Sequence, residues 1–143
     1  MFIKLTDTLF VAPQIDLDEV EQARAQGIRL IINNRPEGES DDQTPGIAIE
    51  TAARRAGIDY IAIPVTHAGF SEGQVQAMAV ALAAAEGPVL AYCRSGTRST
   101  LLWALAEASR GANPTVLAAQ AGQAGYDLTP VRAMCDMLAA GKA

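Results

Sequence analysis

Cys93 ends an apolar run, Pro88-Val89-Leu90-Ala91-Tyr92, and is followed by Arg94-Ser95-Gly96-Thr97-Arg98-Ser99-Thr100. A helical pattern, Leu101-Leu102-Trp103-Ala104-Leu105-Ala106, comes next. This order predicts a strand, a tight loop and a helix, with a thiol where the strand stops. Backbone N–H groups in such a loop can turn inward, and the helix N-terminus adds partial positive charge. Both favour the thiolate, which is the nucleophilic form of cysteine. Arg98 adds a fixed positive charge. Ser99 or Thr100 can cap the helix and donate a hydrogen bond to the sulfur. The stretch therefore nominates Cys93 as nucleophile with Arg98 and Ser99 as catalytic partners. Arg94, Ser95, Gly96 and Thr97 become the wall of an anion-binding loop. An arginine in the first helical turn opposes the dipole, which calls for an anion beside Arg98. The competing reading is a buried strand cysteine that packs as a small hydrophobe.

Three accessory groups stand elsewhere. Arg35 opens a polar, acidic loop that includes Asp41 and Asp42 and leaves the C-terminal end of the strand Ile28–Asn33. Ligand sites in open α/β sheets gather at that end, so Arg35 is expected to point back at a bound anion. The plain alternative is a solvated acidic turn. His67, the single histidine, lies in the loop after the next strand. It is a loop hydrogen-bonder or an accessory catalyst, and it cannot build a zinc site alone. Cys135 falls in the apolar stripe Val131-Met134-Cys135-Met137-Leu138, read as core with a resolving thiol as the minor alternative. Trp103, Tyr92 and Tyr126 read as packing residues.

The elements that must position these groups follow from pattern. Phe2–Thr6 and Thr8–Ala12 read as short strands. Asp16 and Glu19 form a capping-box signature, with Leu17, Val20 and Ala23 or Ala25 as the buried stripe and Gly27 as the stop. Ile28–Asn33 is apolar almost throughout, as suits a strand covered on both faces. Pro45–Ala56 is a helix, Asp59–Val65 a strand, and Ser71 caps a helix that runs toward Gly87. After the Cys93 loop come helices from about Ser99 to Arg110, Pro114 to Ala121, and Thr129 to Gly141. The alternation predicts one α/β domain over residues 1–143, with a central, mostly parallel sheet flanked by helices on both faces.

Composition narrows the setting. Half of the 143 residues are apolar, so the chain can bury a core. A net charge of −5 with no basic run argues against nucleic-acid and anionic-membrane partners. Asp7 comes too early for a signal peptide, and the apolar stretch near Ala77–Ala85 is too short for a membrane span. Two cysteines make no disulfide framework, which points to a reducing, cytoplasmic setting. No metal and no cofactor are called for.

The Cys93 loop resembles two families of cysteine enzymes. Protein tyrosine and dual-specificity phosphatases place five residues between cysteine and arginine. Rhodanese-type sulfurtransferases place four, often as Cys-Arg-x-Gly-x-Arg. Here four residues separate Cys93 from Arg98, and Ser99 stands where a phosphatase would have its arginine. The stretch Gly27–Glu37 and the strand Tyr60–Val65 resemble a dual-specificity phosphatase scaffold instead. Over roughly residues 1 to 110 the chain resembles the phosphatase-like domain of β-lactamase-hydrolase-like proteins, a family also labelled as sulfur transferases. That resemblance implies a protein-tyrosine/dual-specificity-phosphatase-like fold, and fold alone does not decide chemistry.

Loop length has a physical consequence. A shorter ring of N–H donors encloses a smaller anion, which suits a persulfide sulfur better than a phosphoryl group. The resemblance to rhodanese implies that Cys93 takes sulfur from thiosulfate or a persulfide donor and passes it to a thiol or cyanide. The loop after Ile61–Val65 also lacks the aspartic acid that ester cleavage uses, unless Asp41 or Asp42 swings in. The first expectation is thus a sulfurtransferase. The second is a phosphatase working through a Cys93 phosphocysteine, and the third a non-catalytic anion-binding or thiol-sensing module. The family resemblance further implies a persulfide dioxygenase as a pathway partner.

Overall fold

The computed structural model describes residues 1–142. Five strands form one sheet: β1 (Ile3–Lys4), β2 (Leu9–Ala12), β3 (Leu30–Asn33), β4 (Asp59–Ala62) and β5 (Val89–Tyr92). Their order is β1-β2-β5-β3-β4. β1 runs antiparallel to β2, and every other pairing is parallel. β5 lies in the centre, in register with Leu9–Ala12 on one side and Leu30–Asn33 on the other. The C-terminal ends of β2, β3, β4 and β5 therefore face the same way, and Cys93 leaves the middle of that edge.

The continuous apolar strands are explained by cover on both faces. Alternation along β5 sends Leu90 and Tyr92 to one core, with Ile15, Val20, Ala23, Ile31 and Ile49. Val89 and Ala91 go to the other, with Ile32, Met78, Leu102 and Leu105. The helices α1 (Leu17–Ala25) and α2 (Gly46–Arg55) cover the first face. The second face carries α3 (Glu72–Ala84), α4 (Thr97–Ser109), α5 (Pro114–Gln123) and α6 (Arg132–Lys142), the last preceded by a 3₁₀ turn at Thr129–Val131. α4 is buried on every side, from Ser99 through Ala106 and again at Ala108, because α3, α5 and α6 enclose what the sheet leaves open.

Local rules place most element ends. Asp16 and Glu19 form the reciprocal capping box that starts α1, and Ser71 and Gln74 form another at α3. Several expected boundaries shift. The first strand shrinks to two residues. The strand expected to reach Val65 ends at Ala62, where its partner β3 ends, although Ile63 N–H and Val65 N–H still donate to Asn33 and Asn34 carbonyls. Leu17, expected in the α1 stripe, is exposed, and Val20 and Ala23 carry that contact. In α6, Cys135 is buried whereas Met134 and Met137 face outward, so the expected stripe is narrower than its spelling. No helix among the described residues is long and apolar enough to cross a membrane.

Candidate active site

Cys93 follows β5 directly, and its side chain is enclosed (0% exposed), while Arg94, Ser95 and Thr97 around it are exposed. The chain then turns sharply. Gly96 N–H donates to Cys93 Sγ at 3.1 Å, which gives the sulfur a backbone donor. Gly96 has φ of 90° and is the residue before α4, so the turn needs a residue tolerant of left-handed backbone. Space demands glycine as well: a Cβ there would collide with the Tyr126 hydroxyl and lie 3.5 Å from the Ala12 carbonyl oxygen. The loop is tied to the neighbouring β2 end by Cys93 N–H to the Ala12 carbonyl (3.4 Å) and Gln14 N–H to the Arg94 carbonyl (3.3 Å). Ser95 Oγ bonds Thr97 Oγ1 at 3.0 Å across the rim.

The anion that Arg98 needs is supplied by the protein itself. Arg98 Nη1 and Nη2 donate to the two oxygens of Glu39 at 2.6 and 2.8 Å, an end-on fork, and Nη1 also donates to the Val65 carbonyl at 2.7 Å. Arg35 is drawn into the same cluster. Its Nε donates to Glu39 Oε1 at 2.9 Å, Nη1 to Gln14 Oε1 at 3.0 Å and Nη2 to Ser40 Oγ at 3.1 Å. The Glu39 carboxyl is held down at about 2, first by the Arg98 hydrogen bonds and then by Arg35, against the opposing effect of burial. The Arg98 guanidinium is held more firmly charged by Glu39 and by the neighbouring Cys93 sulfur. The rest of the guanidinium lies beside the Cys93 sulfur, which adds to the hold on its charge.

Several expectations need correction here. Ser99 neither caps α4 nor touches the sulfur. The helix already begins at Thr97, and buried Ser99 donates to Asn34 Oδ1 at 2.7 Å, tying α4 to the end of β3. Thr100 bonds the Gly96 carbonyl instead. Arg35 does not face an open anion site, because it is buried and its donors are committed to Glu39, Gln14 and Ser40. Asp42 accepts from Ser40 Oγ at 2.7 Å. That bond, with Arg35 and Arg94 nearby, lowers its carboxyl, so it stays ionised at neutral pH and is poorly suited to donate a proton. His67 sits exposed in the turn just after Val65, with no side-chain hydrogen bond among the described residues. Cys135 is a free, buried thiol in α6 that burial pushes up, which makes it a packing group.

Two residues passed over as loop or packing belong to the site. Glu39 was one of several acids in a polar loop, and only the fold reveals that it meets an arginine 59 positions away. Tyr126 lies in the segment after α5, and its hydroxyl donates to the Ser95 carbonyl at 3.1 Å.

The site thus combines an enclosed thiol, a backbone donor on the sulfur and an arginine anchored from behind. The profile of the phosphatase-like domain of the β-lactamase hydrolase-like proteins matches residues 1–110. The chain belongs to this family. A β-lactamase hydrolase-like protein of Xylella fastidiosa is 39% identical over 109 residues, which cover 76% of this chain and 25% of that protein. The chain thus spans about a quarter of the length of the curated relatives it matches. Among solved structures, a candidate phosphatase of Neisseria meningitidis Z2491 superposes with a TM-score of 0.83 at 34% identity, covering 95% of this chain and 96% of that one. Pseudomonas aeruginosa TpbA, solved with phosphotyrosine, superposes with a TM-score of 0.68 at 16% identity over 99% of this chain and 89% of that one, which is a likeness of fold. The phosphatase-like family and the protein-tyrosine/dual-specificity-phosphatase fold are thereby shown. The matched family and the Neisseria structure carry phosphatase and hydrolase names, which favours the phosphatase expectation over sulfur transfer.

Proposed function

We propose that this chain hydrolyses phosphate monoesters through a covalent phosphocysteine on Cys93. The observation that carries this reading is the posture of Arg98. Glu39 and the Val65 carbonyl hold it from behind, and its remaining donors lie beside the sulfur. A guanidinium presenting parallel N–H donors over the sulfur is matched to two oxygens of a phosphoryl group. In the first step the Cys93 thiolate attacks phosphorus, the P–O ester bond breaks, and the alkoxide or phenoxide leaves and takes a proton from water. In the second step water attacks the phosphocysteine, the P–S bond breaks, and phosphate and the thiolate are released. The Gly96 N–H stabilises the sulfur whenever it carries charge, and Arg98 holds the charge that builds on the transferred group. With Asp42 kept ionised, this route favours substrates whose leaving group departs without an acid. This proposal reverses the order expected from loop length.

Sulfur transfer is retained as the second reading because one observation favours it. Four residues separate Cys93 from Arg98, so the ring of donors is short. A sulfur donor with a thiol or cyanide acceptor would then replace the ester and water. One experiment separates the two. The wild type and Cys93→Ser are assayed on p-nitrophenyl phosphate, and their intact masses are recorded after incubation with thiosulfate. Hydrolysis lost in Cys93→Ser supports the phosphatase reading. No hydrolysis, together with a Cys93-dependent gain of one sulfur that cyanide removes, overturns it in favour of transfer.

A further inference from the structure

We infer that Tyr126 is a positioning residue for the Cys93 nucleophile, acting through the Ser95–Gly96 peptide bond. The inference rests on the reading of Cys93 as nucleophile. The two hydrogen bonds involved belong to opposite ends of one planar amide. The Ser95 carbonyl accepts from the Tyr126 hydroxyl at 3.1 Å, and the Gly96 N–H of the same amide donates to Cys93 Sγ at 3.1 Å. A peptide unit is rigid, so fixing the direction of its C=O fixes the direction of its N–H. A donor on the carbonyl also polarises the amide and makes its N–H a stronger donor.

Gly96 makes this control necessary. Its left-handed φ of 90° comes from a residue with no side chain to hold it, so the peptide before it is free to rotate unless something pins it. The close approach of Tyr126 is what the missing Cβ permits, since any Cβ at this position would strike the Tyr126 hydroxyl and stand 3.1 Å from its Cζ. The ring is partly buried and packs against the core of the second face, and its chain position is set by Tyr126 N–H to the Ala121 carbonyl at 2.9 Å. Tyr126 therefore reaches the loop from a fixed base at the end of α5. It lies beyond residues 1–110, the part matched by the family profile. The control of the sulfur thus comes from the part of the chain outside that match.

The test reads the thiolate directly and needs no substrate. Tyr126→Phe keeps the ring and removes only the hydroxyl. Wild-type and variant protein are alkylated with iodoacetamide at a series of pH values, and modification at Cys93 is followed by peptide mass, separately from Cys135. The charged and titratable groups around the thiol are Arg94 and Arg98 in its own loop, Glu39 behind Arg98, Asp42 beside Arg94, and Tyr126 itself. All but Tyr126 are unchanged in the variant. Weakening one charge-assisted donor predicts alkylation about threefold slower on the acid limb, with the two curves converging at high pH. Coincident curves overturn the inference. A uniform change at every pH also overturns it, because that would be altered access with no change in the sulfur's charge. The result is distinguishable from a failure of the phosphatase reading, since alkylation proceeds whichever group Cys93 transfers.

Discussion

Replacing Glu39 by glutamine is the sharpest perturbation of the site. The substitution keeps the shape and removes the charge that anchors Arg98 and Arg35. The carboxyl is lowered from 4.5 to about 2 in the folded chain. At about 1.4 kcal/mol per unit this shift is nominally about 3 kcal/mol, and screening in a loop that opens on solvent reduces it to about 1–2 kcal/mol. The folded-state value is depressed, so the stabilisation is complete above the unfolded value near 4.5. It is lost as pH falls from there toward 2. Glu39→Gln should therefore melt several degrees below wild type at pH 7, and the gap should close by about pH 2. Turnover should fall together with stability, by about 10- to 100-fold in kcat/KM for p-nitrophenyl phosphate, because Arg98 is no longer held beside the sulfur. Thermal melts from pH 7 downward and steady-state kinetics at pH 7 check both. A rise in activity would refute the reasoning: it would mean that Glu39 competes with substrate for Arg98 and does not orient it.

Other consequences are equally direct. With Asp42 held ionised, hydrolysis should depend steeply on the leaving group, and alkyl phosphates should react at least about 100-fold slower than p-nitrophenyl phosphate; equal rates would reveal an acid. Ser99→Ala strands the buried Asn34 amide oxygen, so denaturant unfolding should show a loss of about 1–3 kcal/mol while kcat changes little. A large kcat loss without a stability loss would restore Ser99 to the sulfur. Tyr92→Phe removes a buried hydroxyl that has no hydrogen-bond partner among the described residues, so stability should be unchanged or rise by up to about 1 kcal/mol, and a clear loss would show a partner the fold conceals.

The sequence discloses what local physics controls. Capping boxes at Asp16 and Ser71 name two helix starts, and the apolar run into Cys93 names the central strand. The Cys93–Gly96 turn was legible because glycine and its polar neighbours spell a loop. Where pairing decides, spelling does not suffice: β4 stops with its neighbour although Ile63–Val65 still read as strand. Long-range partners were invisible for the same reason. Glu39 could be any solvated acid until the sheet brings the end of β3 beside the start of α4, and Tyr126 is an aromatic in an apolar context until Gly96 lets it approach. Ser99 was misplaced by a shift of two residues in the helix start, which turned an expected cap into a tie to Asn34.

The position of β5 also bears on how the molecule is made. It is the last strand in the chain and the middle one in the sheet, paired on both edges. During synthesis β2 and β3 emerge first, with a gap between them one strand wide and two inward edges unsatisfied. Nothing earlier in the chain fills that gap, so β2 and β3 cannot be joined through the sheet until Tyr92 is available. Closing the sheet therefore needs a late, non-local pairing, of a kind that is slow relative to helix formation and leaves strand edges open to other chains meanwhile. The same event carries Cys93 into place, so a ribosome-bound fragment ending before β5 has neither a closed sheet nor the Cys93 loop.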